Sequence, residues 1–399
     1  MDINRFRSSR WLYVGAAVVI VGAAGTYQFA WSVIRAPIGV QAGASETVLG
    51  TVFSVMIVSQ TLAAFPAGWI RDRHGPHVPL LAGSVLLTAG FAGAALMPTV
   101  PVLYLWFALG GAGVGIAYDI AVNTPSQWFV NRRGMATGAV SMAFSGTSFV
   151  LIPVIQRGAE TAFTSTLLVL ALAAGIASLI GAAIIRDPDG DSPVQEETPT
   201  RSAVDESAVT WRSMLRTRQF WVLYLIFVVV NGVGLMLLEK VVAYAGQLGL
   251  PTAAATAAAS LVALGQATGV VVLGSVSDRI GHKRTLAGSL VICGLSLAAT
   301  VVVGQLAFEW LFVALAGVTM FFRSPSFAIM PGLTSQYYGQ RYASENYAVL
   351  LTAKLWGGIF GGTATSVLVL SLGWSQTFYI AAALAVVAGI LASVALDSS

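Results

Sequence analysis

Long apolar runs alternate with short polar breaks along the 399 residues of the chain. A helix needs about 20 apolar residues to cross the hydrocarbon of a bilayer. Stretches that qualify lie near 11–36, 46–70, 77–97, 101–125, 134–156, 162–185, 219–245, 252–276, 284–305, 309–332, 343–370 and 373–396. The pattern predicts an all-α membrane protein with twelve transmembrane helices. Arg5, Arg7 and Arg10 precede the first run, and Ala42-Gly43-Ala44 follows it, as in a cleavable leader. The run itself far exceeds the roughly 7–15 apolar residues of a leader core. It is therefore read as a retained first span.

Composition sharpens this reading. Only 10% of the residues are charged, against 56% hydrophobic, where a soluble domain carries about 25% charged residues. Most of the surface must face lipid. The 42 glycines suit helices whose backbones approach closely. Cys293, the single cysteine, sits in an apolar run, and His74, His77 and His282 lie beside charged turns, so no metal or other cofactor is expected. The sequence contains no nucleotide-binding loop or zinc spacing, and a transporter is expected rather than an enzyme.

Basic residues mark the cytoplasmic side, because they resist translocation. With the N-terminus inside, sixteen of the 21 Lys and Arg residues fall in the N-terminal tail and the cytoplasmic loops. Only Arg157 falls outside, and Arg35, Lys240, Arg323 and Lys354 fall within spans. This predicts a multi-pass protein of the inner (plasma) membrane with both termini cytoplasmic. The basic balance follows from topology, and no nucleic-acid partner is expected. The one long polar segment, 187–218, is rich in Pro, Asp, Glu, Ser and Thr and cannot bury a core. It divides the chain into an N-terminal six-helix half, 1–186, and a C-terminal six-helix half, 219–399. Trp211 to Arg218 at its end could form a short amphipathic surface helix.

The halves repeat. Gly68-Trp-Ile-Arg-Asp72-Arg73-His-Gly75 after the second span matches Gly274-Ser-Val-Ser-Asp278-Arg279-Ile-Gly281 after the eighth, at an offset of 206. Ser126-Gln-Trp-Phe-Val-Asn-Arg132 matches Ser335-Gln-Tyr-Tyr-Gly-Gln-Arg341 at an offset of 209. Two polar turns in register argue for duplicated halves of parallel orientation. Glycine permits a tight helix–loop contact, and the Asp and Arg residues supply charge pairs at a cytoplasmic gate.

These paired Gly-x-x-x-Asp-Arg-x-Gly turns, with six plus six spans, resemble the major facilitator superfamily over essentially the whole chain. More narrowly, Gly111-Ala-Gly-Val-Gly-Ile-Ala-Tyr118, Asn123-Thr124, Trp128-Phe129, Thr217-Arg-Gln-Phe-Trp-Val-Leu223, Ala353-Lys354 and Ile359-Phe-Gly-Gly362 are similar to the oxalate/formate antiporter family, a relative of monocarboxylate transporters. The resemblance implies a small carboxylate bound near the bilayer midplane, with Lys354 as the substrate-binding lysine of the eleventh span. The chain departs from that family at two places. Val270 stands where the resemblance puts a pocket arginine, and Arg323 stands where it puts a pocket aromatic, so the implied ligand is a small carboxylate rather than oxalate as such. The glycine-proline motif of drug/proton antiporters is absent, since the fifth span has no proline between Gly138 and Pro153.

An ionisable side chain at mid-bilayer is costly and marks a cavity or a partner. Lys354 lies about 11 residues into its span, roughly 16 Å deep, too far to snorkel easily. Arg323 is some 14 residues into the tenth span by the same rise, and its guanidinium can grip a carboxylate bidentately. Asp119, near the cytoplasmic end of the fourth span, is a candidate proton carrier within reach of Arg323, or else a structural partner. Glu239 and Lys240, near the outer end of the seventh span, are expected to be solvated at the interface, as is Arg35. Tyr118 and Trp31 are expected to wall the pocket. The reading is a secondary transporter of a small organic anion, a monocarboxylate, working by alternating access as a monomer. Proton-coupled symport, carboxylate exchange without protons, and a non-transporting sensor are the alternatives.

Overall fold

The computed structural model describes residues 10–129, 133–186 and 209–396. Most of the acidic linker, Arg132, and the side chains of Asp72 and Arg133 lie outside the described residues. Among the described residues the fold is helical, with no strand.

The chain runs through α1 (Arg10–Ala42), α2 (Glu46–His74), α3 (His77–Leu96), α4 (Val100–Asn123) and α5 (Arg133–Ile184). It continues through α6 (Arg218–Gln247), α7 (Thr252–Ile280), α8 (His282–Gln305), α9 (Glu309–Arg323) and α10 (Ser326–Tyr338). The last stretch comprises α11 (Ala343–Leu351), α12 (Ala353–Ile359), a π-helical turn Phe360–Ala364, α13 (Thr365–Leu372) and α14 (Trp374–Ala395). Eleven segments among the described residues are long and apolar enough to cross a bilayer. One of them lies in α5, which has 52 residues, about 78 Å at helical rise and far more than one crossing needs. It is interrupted at Ala162, whose φ of −152° and ψ of 66° are not helical. The break falls where the fifth and sixth expected spans meet.

The polarity of the fold is inverted relative to a soluble protein. Phe65, Val150, Trp310, Leu370 and Val394 are among many large apolar side chains on the outside, while Gln28, Arg35, Glu239, Lys240 and Arg323 are buried. Water would not tolerate so much exposed apolar surface, and lipid does.

Two compact units divide the chain, 1–44 with 55–203 and 45–54 with 204–399. The boundary at 203/204 falls within the polar linker. The first turns of α2 group with the C-terminal unit, and the rest of that helix groups with the N-terminal one. In the N-terminal unit the glycines of the 111–118 motif form a two-sided seam. A Cβ at Gly111 would stand 2.3 Å from the Met56 carbonyl oxygen, and one at Gly115 would stand 2.0 Å from that of Gln60, so α2 and α4 touch backbone to backbone. Gly113 faces the opposite way, 2.6 Å from the Leu87 amide nitrogen by the same construction. The motif is thus packing chemistry that fixes α4 between α2 and α3.

The repeated turns close both helices alike. Gly75 and Gly281 have φ of 75° and 96°, a backbone state that glycine adopts without strain. The expected surface helix at Trp211 to Arg218 is corrected to a single turn, Trp211–Met214. Thr217 already caps α6, accepting a bond from the Phe220 amide at 3.3 Å. Val209 is tied to Tyr338 and Asn346 at 3.0 and 2.9 Å, and Met214 is buried. Val209 to Thr217 are thus held against the C-terminal unit.

Candidate functional site

In the C-terminal unit two helical runs are interrupted beside a cation. The expected tenth span is α9 plus α10, separated by Ser324 and Pro325, and Arg323 is the last residue of α9. Pro325 has no N–H to give to the Phe321 carbonyl. That carbonyl instead abuts Gly269, where a Cβ would stand 2.2 Å from its oxygen. The expected eleventh span begins with α11 and α12, interrupted at Thr352, with Lys354 the second residue of α12. The π-helical turn Phe360–Ala364 follows α12 directly. Such breaks are tolerated in membrane helices where they line protein or a cavity, and π-turns cluster at functional sites.

Arg323 is only 3% exposed and is held on three sides. Its Nε donates to the Val230 carbonyl at 2.8 Å, and its Nη1 donates to Gln266 Oε1 at 3.4 Å. Its guanidinium carbon lies 4.6 Å from the centre of the Phe327 ring. Gly234 makes the position possible, since a Cβ there would fall 2.2 Å from Nε. Lys354 is half-buried and close enough for its charge and that of Arg323 to oppose each other. Three residues beyond Lys354, Gly357 packs on Asn231, with 2.3 Å from an added Cβ to the Asn231 Cβ. Arg323 and the helix that carries Lys354 thus both pack on α6, Arg323 at Val230 and Gly234 and α12 at Asn231. Neither hydrogen-bond partner of Arg323 is an acid, so among the described residues its charge is met by dipoles and a ring face. A guanidinium held this way suits a transient anion.

The other expected residues fall elsewhere. Trp31 is fully buried in the N-terminal unit, edge-on to Phe107 at 4.8 Å. Tyr118 is half-buried and edge-on to Phe144 at 4.9 Å. Asp119 lies in the last turns of α4, its Oδ2 3.5 Å from where a Gly68 Cβ would be. Asn123 donates to the Asp119 carbonyl oxygen at 2.8 Å and to its carboxylate at 3.5 Å. Arg73 stacks its guanidinium 3.7 Å over Trp69. In the other turn Asp278 lines a cleft of about 450 Å³ beside Arg279, and His282 meets Ser277 Oγ at 3.2 Å.

The expectation of interfacial solvation fails for three residues. Arg35 is buried, because α1 runs on to Ala42, seven residues past it. Glu239 and Lys240 are both 0% exposed. The Lys240 ammonium reaches Glu46 Oε1, Glu239 Oε2 and Ser366 Oγ, each at 2.8 Å, and lies 5.8 Å from the Trp374 ring centre. Adjacent residues on a helix diverge by about 100°, yet the flexible lysine stem bends back to its neighbour. Glu46 comes within reach because Gly50 and Gly362 meet without side chains. A Cβ at Gly362 would stand 2.3 Å from the Gly50 carbonyl oxygen. Ser54 secures the same contact, donating to the Gly358 carbonyl at 2.9 Å and accepting from the Thr363 amide at 2.9 Å. Nothing in the local sequence at 239–240 signals a partner 194 residues away.

Comparison with known proteins accords with this architecture. The family described as Major Facilitator Superfamily matches residues 16–251 and 234–398. An oxalate:formate antiporter of Oxalobacter formigenes is 30% identical, covering 96% of this chain and 91% of that protein. The uncharacterized MFS-type transporter YhjX of Escherichia coli (strain K12) is 23% identical over 88% of the chain and 86% of its own length. Among solved structures, a mutant of the peptide transporter POT in complex with sulfate superposes with a TM-score of 0.75 at 14% identity, covering 99% of this chain and 98% of that one. That likeness speaks for the fold.

Proposed function

For a chain that belongs to the major facilitator superfamily, we propose that the cargo is a small carboxylate, held by Arg323 and Lys354 and moved by alternating access. The observation that carries this reading is the Arg323 guanidinium, buried among neutral groups on α6, α7 and α10 beside a second cation. A buried guanidinium whose hydrogen-bond partners are neutral is costly, and a carboxylate arriving beside it relieves that cost. Part of the guanidinium's fork is already used by Val230 and Gln266, which leaves room for one carboxylate edge, as a monocarboxylate presents. The antiporter relative supports exchange of one anion for another as the mode of turnover. Proton symport through Asp119 is the alternative, and a pH step separates the two. The test is counterflow in proteoliposomes loaded with formate, acetate, lactate or oxalate. Arg323→Gln and Lys354→Gln, each still inserted and monodisperse, should abolish saturable exchange. Wild-type affinity and rate in both variants would sink the assignment.

A further inference from the structure

The buried cluster around Lys240 has no part in the site just described, yet its chemistry is the same. An ammonium has three N–H donors; here two are given to Glu46 and Ser366, and Glu239 stands against the same nitrogen as an ion pair at 2.8 Å. Glu239 is the neighbour on the same helix, and Ser366 lies in the first turn of α13. Glu46 alone comes from the other half of the sequence. It is the first residue of α2, its side chain is 19% exposed while that of Lys240 is 0%, and the left-handed Gly43 (φ 61°) stands shortly before it. Helix ends open more readily than helix middles. A carboxylate at a helix N-terminus also keeps the favourable interaction with the helix dipole after it leaves its partner.

We propose that Lys240 is a second carboxylate site, occupied in this structure by the protein's own Glu46, and that an arriving substrate carboxylate takes the place of Glu46 there. The proposal rests on the carboxylate reading above. If Glu46 left with nothing to replace it, a fully buried N–H would lose its acceptor, which is strongly unfavourable. Exchange for another carboxylate keeps that donor met. Lys240 is six residues beyond Gly234 on α6, about 9 Å farther along the axis, at the end opposite the Asp278 turn. One helix thus carries an entry site and the Arg323 site in series. Admission at this end would then require an anion, which suits a carrier that should not open empty.

The experiment measures uptake of labelled formate, acetate, lactate and oxalate into intact cells, comparing wild type, Glu46→Gln, Lys240→Gln and Arg323→Gln. Removing the resident competitor in Glu46→Gln should lower the external half-saturation concentration at least about fivefold, the lower end of ordinary coupling between sites. Lys240→Gln should raise it by a similar factor. A Glu46→Gln half-saturation equal to or above wild type overturns the proposal. Should Lys240→Gln fail to insert, the Glu46→Gln arm decides alone. If wild type takes up none of the four acids, the carboxylate reading itself has fallen. If uptake is Arg323-dependent but indifferent to Glu46→Gln, only this inference has.

Discussion

Gly234 holds Arg323 in place by what it lacks: the guanidinium Nε lies 2.2 Å from where a Gly234 Cβ would stand. A methyl group there forces the guanidinium to shift away from the Val230 carbonyl, to which Nε now donates at 2.8 Å. Gly234→Ala should therefore insert and fold, since alanine favours a helix over glycine by about 1 kcal/mol, but lose carboxylate exchange by roughly tenfold or more, the equivalent of about 1.4 kcal/mol of anion binding. Gly246→Ala, at a position with open space, is the control. Counterflow and thermal stability measured side by side check the pair.

Arg323→Lys keeps the charge but loses the planar fork, and the Val230 and Gln266 acceptors sit where a guanidinium's separate nitrogens reach them. A lysine ammonium cannot span both and still meet a carboxylate edge-on. Exchange should fall at least about tenfold, a loss of roughly 1.4 kcal/mol. The measurement is half-saturation for the best of the four acids, and an unchanged value would mean that the site needs only charge.

Much of the architecture is legible in the hydropathy pattern, because spans, turn glycines and the internal repeat are local features. The depth of Arg323 and Lys354 can be counted from span ends for the same reason. Pro325 and the Gly361-Gly362 pair are visible signs of interrupted helices, although hydropathy alone shows continuous spans. What escapes the pattern is long-range. Glu239 and Lys240 look like residues at the end of a span, and only the approach of Gly50 to Gly362 brings Glu46 over them. Arg35 looks terminal because the apolar run thins out near it, whereas the helix continues to Ala42. Trp31 cannot be sorted from its neighbours, since a stripe of aromatics does not say which ring faces packing.

Topology rests on charge asymmetry alone and is open to direct labelling. Cys293 is free and buried, so the native chain should give little background with an impermeant thiol reagent. Ser192→Cys, in the polar linker, should resist such a reagent in intact cells and react after permeabilisation. Labelling in intact cells would reverse the orientation, and with it the side from which Lys240 is approached.

Asp119 is the remaining acid with a choice of roles, and the internal repeat sharpens the choice. Gly68 and Gly274 are equivalent positions of the two turns, and each packs against the facing helix. An added Cβ would stand 3.5 Å from Asp119 Oδ2 at the first and 3.1 Å from the Ala328 Cβ at the second. Asp119 and Ala328 are separated by 209 residues, the offset of the repeated Ser-Gln turns, so they are structural counterparts. One copy of the fold carries an acid at this place and the other carries a methyl group. The acid stands beside Gly68 of the first turn, where Asn123 donates to it. Under the exchange reading, Asp119→Asn should keep counterflow within about threefold, the scale of one partly exposed hydrogen bond worth about 0.7 kcal/mol. Wild type and variant alike should be indifferent to an imposed pH step at clamped voltage. Uphill accumulation driven by the pH step in wild type, and its loss in Asp119→Asn, would make Asp119 the proton carrier and replace exchange by symport. Accumulation that survives the substitution would instead place the coupled proton on another residue.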